Sequence, residues 1–388
     1  MRKSYQSNWE RNLNSISSKL LSLNGFPNFS KWGRVGERSA IFPFLKEERC
    51  KDLPLAELWF GTHKNGLSTV SVEGEDLSLR DYLNNRRKLS DLPYLAKILS
   101  VDAPLSIQLH PPKQIAEELH AKDPKNYPDG NPKPEMSVAL TVVELLCGVR
   151  TIEAIREIVS QQDAFKALGP HFYNLLDVGS LRPLANFIFS LDQAVLDEFY
   201  KILLQSANSD PWTNLVKKLS QLGEDIDPGI VFVYFLEFIT LQPGEAIFIE
   251  PGVPHAYLSG DMFECMQSSD NVIRGGLTPK FIDKENFVKI FTETFYEPTL
   301  DSDFLNGINN YSPVNCPFSV KHIRTSEKFI VDIQANSMII IIHGKGSLTI
   351  EGELYRVEAY SSYFIPTKLS EIEFSAESLL ELFVVEPK

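Results

Sequence analysis

The chain has 388 residues, 43% of them hydrophobic and 23% charged, too many for one compact core and ordinary in composition, so two or three soluble domains are expected. A formal net charge of −13 excludes nucleic acid as the main partner, because a phosphate backbone needs a basic surface. An anionic substrate would have to be met by a local basic pocket set into an acidic body.

Residues 1–23 lack the continuous apolar core of a secretory signal. Arg2, Lys3, Arg11 and Lys19 against the single acid Glu10 are compatible with an organelle leader, but the spacing of Trp9, Leu13, Ile16 and Leu20 favours an amphipathic helix, and a cytoplasmic protein is expected. From about residue 29 to 146 the text is mixed, with short apolar segments such as 40–44 and 94–100 broken by Pro and Gly. From 151 to about 222 it turns helical. Ile152, Ile155 and Ile158 recur every three residues, Leu196, Phe199 and Leu203 mark a second amphipathic run, and Gly169-Pro170 and Asp210-Pro211 separate the helices.

After Asp227-Pro228-Gly229 the apolar run 231–240, rich in Val, Phe and Tyr, predicts a strand. Gln242-Pro243-Gly244-Glu245 predicts a turn, and 246–249 the next strand. Beyond Tyr311 the runs 338–342, 347–350, 362–365 and 382–385 predict short strands joined by Gly-Lys-Gly and Glu-Gly-Glu turns, and none approaches the length of a membrane span. Phe248-Ile249-Glu250-Pro251 is echoed by Phe364-Ile365-Pro366, which suggests two related jelly-roll sandwiches. The second copy offers Ser370 or Glu371 where the first has His255, so it would hold no metal. The predicted architecture is mainly β: a jelly-roll β-sandwich from 1–150 and 229–300, a helical insertion over 151–228 and a second jelly roll over 301–388. Cys50, Cys147, Cys265 and Cys316 lie far apart with no C-x-x-C pair, which predicts reduced thiols, some of them buried.

Chemistry concentrates in three places. In Pro104-Leu105-Ser106-Ile107-Gln108-Leu109-His110-Pro111, Gln108 and His110 are two apart and would share one face of a strand. Lys133-Pro134-Glu135-Met136 and Pro254-His255-Ala256-Tyr257 add a carboxylate and a second imidazole. Gathered on neighbouring strands these make an N2O2 donor set suited to Zn2+, although Gln is an uncommon ligand and a His beside Pro is more often a surface residue. His63, His120, His171, His322 and His343 show no ligand spacing. The third place is the run from Glu264 to Lys280. There Arg274 precedes Gly275-Gly276, which lets the backbone approach a ligand, and Arg274 and Lys280 suit a phosphate or oxyanion; alone, the run fits a solvated basic turn as well. The chain has no Walker loop, dinucleotide fingerprint, G-x-S-x-G elbow or H-E-x-x-H helix, which argues against nucleotide-driven, serine-hydrolase and zinc-protease chemistry.

These segments resemble the type I phosphomannose isomerase family along nearly the whole chain. The resemblance is carried by Leu58-Trp59-Phe60-Gly61-Thr62-His63, Leu95-Ala96-Lys97-Ile98-Leu99-Ser100, Leu105 to Pro111, Asn131-Pro132-Lys133-Pro134-Glu135-Met136, Leu146-Cys147-Gly148-Val149-Arg150, Val253-Pro254-His255-Ala256-Tyr257 and the run from Glu264 to Asp283. It implies a cupin-type catalytic domain, a helical insertion and a second jelly roll. It places one Zn2+ on Gln108, His110, Glu135 and His255, gives Arg274 a catalytic role, assigns Ser106, Lys97 and Lys280 to the substrate pocket, and lines the site with Lys133, Glu264 and Tyr257. The implied activity is aldose–ketose isomerisation between mannose 6-phosphate and fructose 6-phosphate, by proton transfer between C1 and C2 through an enediolate-like intermediate. Zn2+ and Arg274 would stabilise the oxyanion, and either Glu264 or Lys133 would serve as the base. The implied partner is a small sugar phosphate, with neither nucleic acid nor membrane, and the chain is expected to be monomeric.

The family's aromatic-Ala-Trp-Gly opening stands here as Phe29-Ser30-Lys31-Trp32-Gly33 after an N-terminal extension, and the C-terminal domain is short. Both departures touch pocket walls and oligomer contacts and leave the metal set intact. Two other readings share the residues: an iron oxygenase using two His and one carboxylate, which would not need the Arg-Lys pocket, and a sugar-phosphate sensor without turnover.

Overall fold

The computed structural model describes residues 19–89, 91–221, 226–293 and 307–388. The helix expected over Trp9, Leu13 and Ile16 lies outside the described residues. The chain divides into two compact units, one drawn from residues 27–58 and 94–302, the other from residues 1–26, 59–93 and 303–388.

The first unit is built on antiparallel strands β1 (Phe26–Val35), β2 (Pro54–Phe60), β3 (Tyr94–Val101), β4 (Ile107–Leu109), β5 (Glu135–Ala139), β6 (Val143–Val149), β7 (Leu236–Leu241), β8 (Ala246–Ile249), β9 (His255–Gln267) and β10 (Ile273–Gly276). β9 organises the sandwich. Its C-terminal half pairs with β3 on one side and β5 on the other, while its N-terminal half pairs with β4 and β6. The strand changes sheets at a register shift after Tyr257, next to Gly260. Gly260 has a φ of 115°, and a Cβ there would lie 2.6 Å from the Val142 carbonyl oxygen, so only glycine fits the corner. Leu99, Val101, Val143, Leu145, Cys147, Ile247, Ile249 and Met262 fill the space between the sheets. All four cysteines are buried.

The helical stretch packs on the opposite side of β4 and β10. Helices α1 (Ile152–Gln161), α2 (Gly169–Val178), α3 (Leu181–Phe189), α4 (Gln193–Gln205) and α5 (Pro211–Gln221) follow the predicted runs. The two Xaa-Pro breaks become helix starts, where the missing N–H of proline costs nothing. Ile155, Phe165, Phe172, Leu184, Phe199 and Phe232 share one core with Ile107, Leu109 and Ile273. The odd residues of β4 and β10 are thus anchored among helices, which turns their neighbours Gln108 and Arg274 to the other face.

The predicted strand over 231–240 is only partly one. Residues Gly229–Phe232 are α-helical and Val233–Phe235 form a 3-10 turn, and β7 begins at Leu236. Residues 229–236 are buried throughout, so the run shows no alternation, and a short, wholly apolar segment does not declare its period. Hydrogen bonds from Ile230 N to Asp227 O and Phe232 N to Pro228 O start the helix.

The second unit is also a sandwich. An eight-stranded sheet runs Ile308–Tyr311, Phe318–Thr325, Leu380–Pro387, Ser337–His343, Ser361–Ile365, Leu21–Asn24, Thr69–Val72, Glu75–Ser78, and a four-stranded sheet runs Phe329–Ile333, Leu369–Ala376, Lys345–Ile350, Glu353–Glu358. Ile339, Ile341, Leu348, Ile350, Ile365, Phe374 and Leu382 form its core. The fold is mainly antiparallel β with a central helical segment, as expected. Among the described residues no helix is long and apolar enough to cross a membrane.

Candidate metal centre

Three side chains from three strand segments converge inside the first sandwich. His110 follows β4, Glu135 opens β5 and His255 opens β9, and their donor atoms lie within 4.8 Å of one another, all buried. His110 Nε2 is 3.2 Å from Glu135 Oε2, and His255 Nε2 is 3.1 Å from Glu135 Oε1. The other imidazole nitrogens face backbone carbonyls: His110 Nδ1 donates to Asn271 O at 2.8 Å and His255 Nδ1 to Val253 O at 3.0 Å. A carbonyl accepts only, so each Nδ1 carries the proton and each Nε2 turns its lone pair inward. Those Nε2–carboxylate approaches are therefore close contacts between acceptors. Consistently, both Glu135 oxygens and His255 Nε2 are buried without a hydrogen bond. Lys133 meets Glu135 Oε2 and His110 Nε2 from one side, but Glu135 Oε1 and the His255 Nε2 lone pair still face each other at 3.1 Å, and the donor set matches a borderline-soft divalent ion. No other cluster of this kind occurs among the described residues, including those of the second sandwich.

Electrostatics agree with a ligand set. Burial, with the Lys133 ammonium beside it, lowers the His110 pKa to about 4 and keeps the imidazole neutral. Burial works against ionised Glu135, but the Lys133 ammonium outweighs it and holds the carboxyl well below the usual carboxylate range. Lys133 Nζ lies 3.2 Å from Glu135 Oε2 and 3.4 Å from His110 Nε2.

A second buried network adjoins this one. Lys97 Nζ sits 3.0 Å from Glu264 Oε2 and 3.3 Å from Glu57 Oε1. Lys97 and Glu264 are register partners on β3 and β9, and Ser137 faces Glu264 from β5. Tyr257 Oη and Ser137 Oγ are hydrogen-bonded at 2.6 Å. Burial opposes the Lys97 charge, but Glu264 and Glu57 hold its pKa above the ordinary value. Burial raises Glu264, and the Glu135 and Glu57 charges raise it further against the pull of Lys97 and Lys133. Burial also keeps the Tyr257 phenol protonated. With three carboxylates, Glu57 among them only half-buried, against two ammoniums, the cluster carries one excess negative charge when all are ionised, and a divalent cation would reverse it.

Gln108 is the register partner of His255 on one side and of Arg274 on the other. Directly paired residues project to one face, so Gln108 points to the same side as His255, and Arg274 continues the row. Arg274 is half-buried, forms no ion pair among the described residues, and burial lowers its pKa. Ser106 is half-buried just before β4, and Lys280 is exposed beyond β10. No hydrogen bond or ion pair joins either side chain to the metal cluster among the described residues. The structure thus gathers His110, Glu135, His255, Lys133, Lys97, Glu264 and Tyr257, aligns Gln108 and Arg274 with them, and leaves Ser106 and Lys280 without such a contact. Glu57 was missed by sequence reading, because one acid in a strand of alternating burial usually faces water.

A jelly-roll sandwich with an inward His-Glu-His set, buried ammoniums and an uncommitted guanidinium defines a metal-dependent enzyme for small anionic substrates. The model of "Phosphomannose isomerase type I, catalytic domain" matches residues 20–152. Human mannose-6-phosphate isomerase is 36% identical over 71% of this chain and 72% of its own length, and the Ogataea parapolymorpha enzyme is 32% identical over 94% and 97%. A crystal structure of a phosphomannose isomerase variant from Salmonella typhimurium superposes with a TM-score of 0.83 at 25% identity, covering 96% of this chain and 100% of that one. Another structure from that organism, with a TM-score of 0.81, is bound to its substrate, fructose 6-phosphate, and to zinc. The chain belongs to the type I phosphomannose isomerase family.

Proposed function

We propose that this chain interconverts mannose 6-phosphate and fructose 6-phosphate, with one Zn2+ held by Gln108, His110, Glu135 and His255. The observation that carries the reading is the buried His110–Glu135–His255 set with Arg274 in the register row of Gln108 and His255. When bound, the ion supplies Lewis-acid stabilisation to an oxygen of the substrate.

The remaining work falls to the chain's own groups. Arg274 offers a fixed positive charge to the oxyanion that develops as a proton leaves carbon, in a partly dry setting where such a charge acts strongly. Glu264, raised by burial, is the better placed of the two proton carriers: a carboxylate with an elevated pKa takes a proton at C1 or C2 and returns it to the other carbon. Lys97 holds its orientation at 3.0 Å. Lys133 is tied to Glu135 and His110 and serves charge balance beside the metal. Tyr257 closes the wall through Ser137, while Ser106 and Lys280 are assigned to the sugar and phosphate side. Four cysteines spaced far apart, with no C-x-x-C pair, support a reducing, cytoplasmic setting, and a monomeric working state belongs to the same proposal.

A coupled assay with mannose 6-phosphate tests it. Turnover should be abolished by a chelator and restored by Zn2+. Substrate binding without turnover would leave a sensor, and turnover indifferent to chelation would remove the metal from the mechanism.

A further inference from the structure

One polar network ties together the loops that carry the metal donors. Asn271, whose carbonyl accepts from His110 Nδ1 at 2.8 Å, is itself fully buried. Its Nδ2 donates to Asp129 O at 2.7 Å and Asn131 O at 2.9 Å, with a longer contact to Asp129 Oδ1 at 3.3 Å. Asp129 Oδ1 accepts from Ser269 Oγ and from Asn131 N, both at 2.9 Å, and its Oδ2 accepts from Asp270 N at 2.9 Å. Asp129 thus clamps the loop leading to Lys133 and Glu135 against the loop leading to Arg274. The Asn271 carbonyl is held at the junction.

The consequence concerns His110. A buried imidazole presents Nε2 as a ligand only while Nδ1 keeps its proton and the ring keeps its azimuth, and both depend on where that one carbonyl stands. A carbonyl cannot be removed by mutation, but the side chains that hold it can. We propose that Asp129 and Asn271 are positioning residues for the metal, fixing the tautomer and direction of His110 through the Asn271 carbonyl. The inference rests on the reading that His110, Glu135 and His255 hold a divalent ion.

The test uses the full chain and the variants Asp129→Ala, Asn271→Ala, Ser269→Ala and Asp129→Asn. The readouts are the Zn2+ dissociation constant by competition with a chromophoric chelator, the visible spectrum of the Co2+-loaded protein, and the melting curve of the metal-free protein. The first two variants should weaken Zn2+ by about ten- to a hundredfold and shift the Co2+ bands, as loss of a partner behind a ligating histidine does. Asp129→Asn keeps the donors facing Oδ1 and should recover most of the affinity, with Ser269→Ala falling between. Should the alanine variants at 129 and 271 fail to fold, Ser269→Ala against Asp129→Asn carries the same comparison. Wild-type affinity and spectrum in folded variants would overturn the inference, and so would a lowered melting temperature with unchanged affinity. Failure of the wild-type chain to bind Zn2+ would instead sink the metal reading beneath it.

Discussion

Arg274 and Glu57 illustrate how different a charged side chain's task becomes with its partners. Arg274 has no ion pair among the described residues, and its strand aims it along the row of Gln108 and His255. Arg274→Ala is expected to lower kcat about a hundredfold or more, the scale of losing one oxyanion donor, while metal analysis shows wild-type zinc content. Equal losses of zinc and turnover would contradict that role. Glu57 never needs to meet substrate; it acts through Lys97, at 3.3 Å, and through the field it places on Glu264. Glu264 must be ionised to accept a proton, so activity falls as pH drops through its elevated pKa. Glu57→Gln removes a negative charge that raises that pKa and leaves Lys97 to Glu264 alone. Both effects point the same way. The acid limb of kcat/KM, measured at saturating Zn2+, should move to lower pH, and an unmoved limb would separate Glu57 from the base.

Short elements place these residues, and their fit is tight. Behind Arg274, a Cβ on Gly276 would stand 2.4 Å from Gly229 Cα and 2.7 Å from Gly229 N, both backbone atoms with no rotamer to give. Asp227 pins the same junction, accepting from Gly229 N, Leu277 N and Thr278 N. Gly276→Ala should therefore destabilise the fold by roughly 1–3 kcal/mol, the range for overpacking, and lower kcat about tenfold to a hundredfold through displacement of Arg274. Thermal melts and steady-state kinetics check the two halves separately; full activity at a lowered melting temperature would detach β10 from catalysis. The glycines were legible in sequence as a place where backbone comes close. What lay close was not legible, because Gly229 stands in the Asp227-Pro228-Gly229 break, where the helix that leads into the apolar run begins without a periodic signal. Likewise the alternation of Gln108 and His110 could be read from spacing alone, but the register of β4 between β9 and β10 joins residues more than a hundred positions apart and leaves no local trace.

At the scale of the whole molecule, local patterns carried the fold class and distant pairings escaped. The β runs near the C-terminus were readable because each is a short apolar or alternating segment bounded by turn residues, whereas Leu21–Asn24 joins Ser361–Ile365 in one sheet, with Ser362 Oγ donating to Leu23 O at 2.6 Å, a match no short window contains. The most consequential long-range fact is electrostatic. Half-buried Glu57 and fully buried Glu264 and Glu135 stand together in a chain of net charge −13, with Lys97 and Lys133 as their close cations among the described residues. Burying an excess negative charge is unfavourable, and a divalent ion bound only by the folded state removes it. Such an ion stabilises by mass action, about 4 kcal/mol when its free concentration is a thousandfold above the dissociation constant. Chelation should then lower the melting temperature on the order of 10 °C, and Zn2+ should restore it, with Glu135→Gln losing most of the response because the anionic donor is gone. Calorimetry with and without chelator makes the measurement. A melting temperature indifferent to chelation would mean that the two ammoniums alone satisfy these carboxylates and that the His–Glu–His set holds no ion that matters to folding.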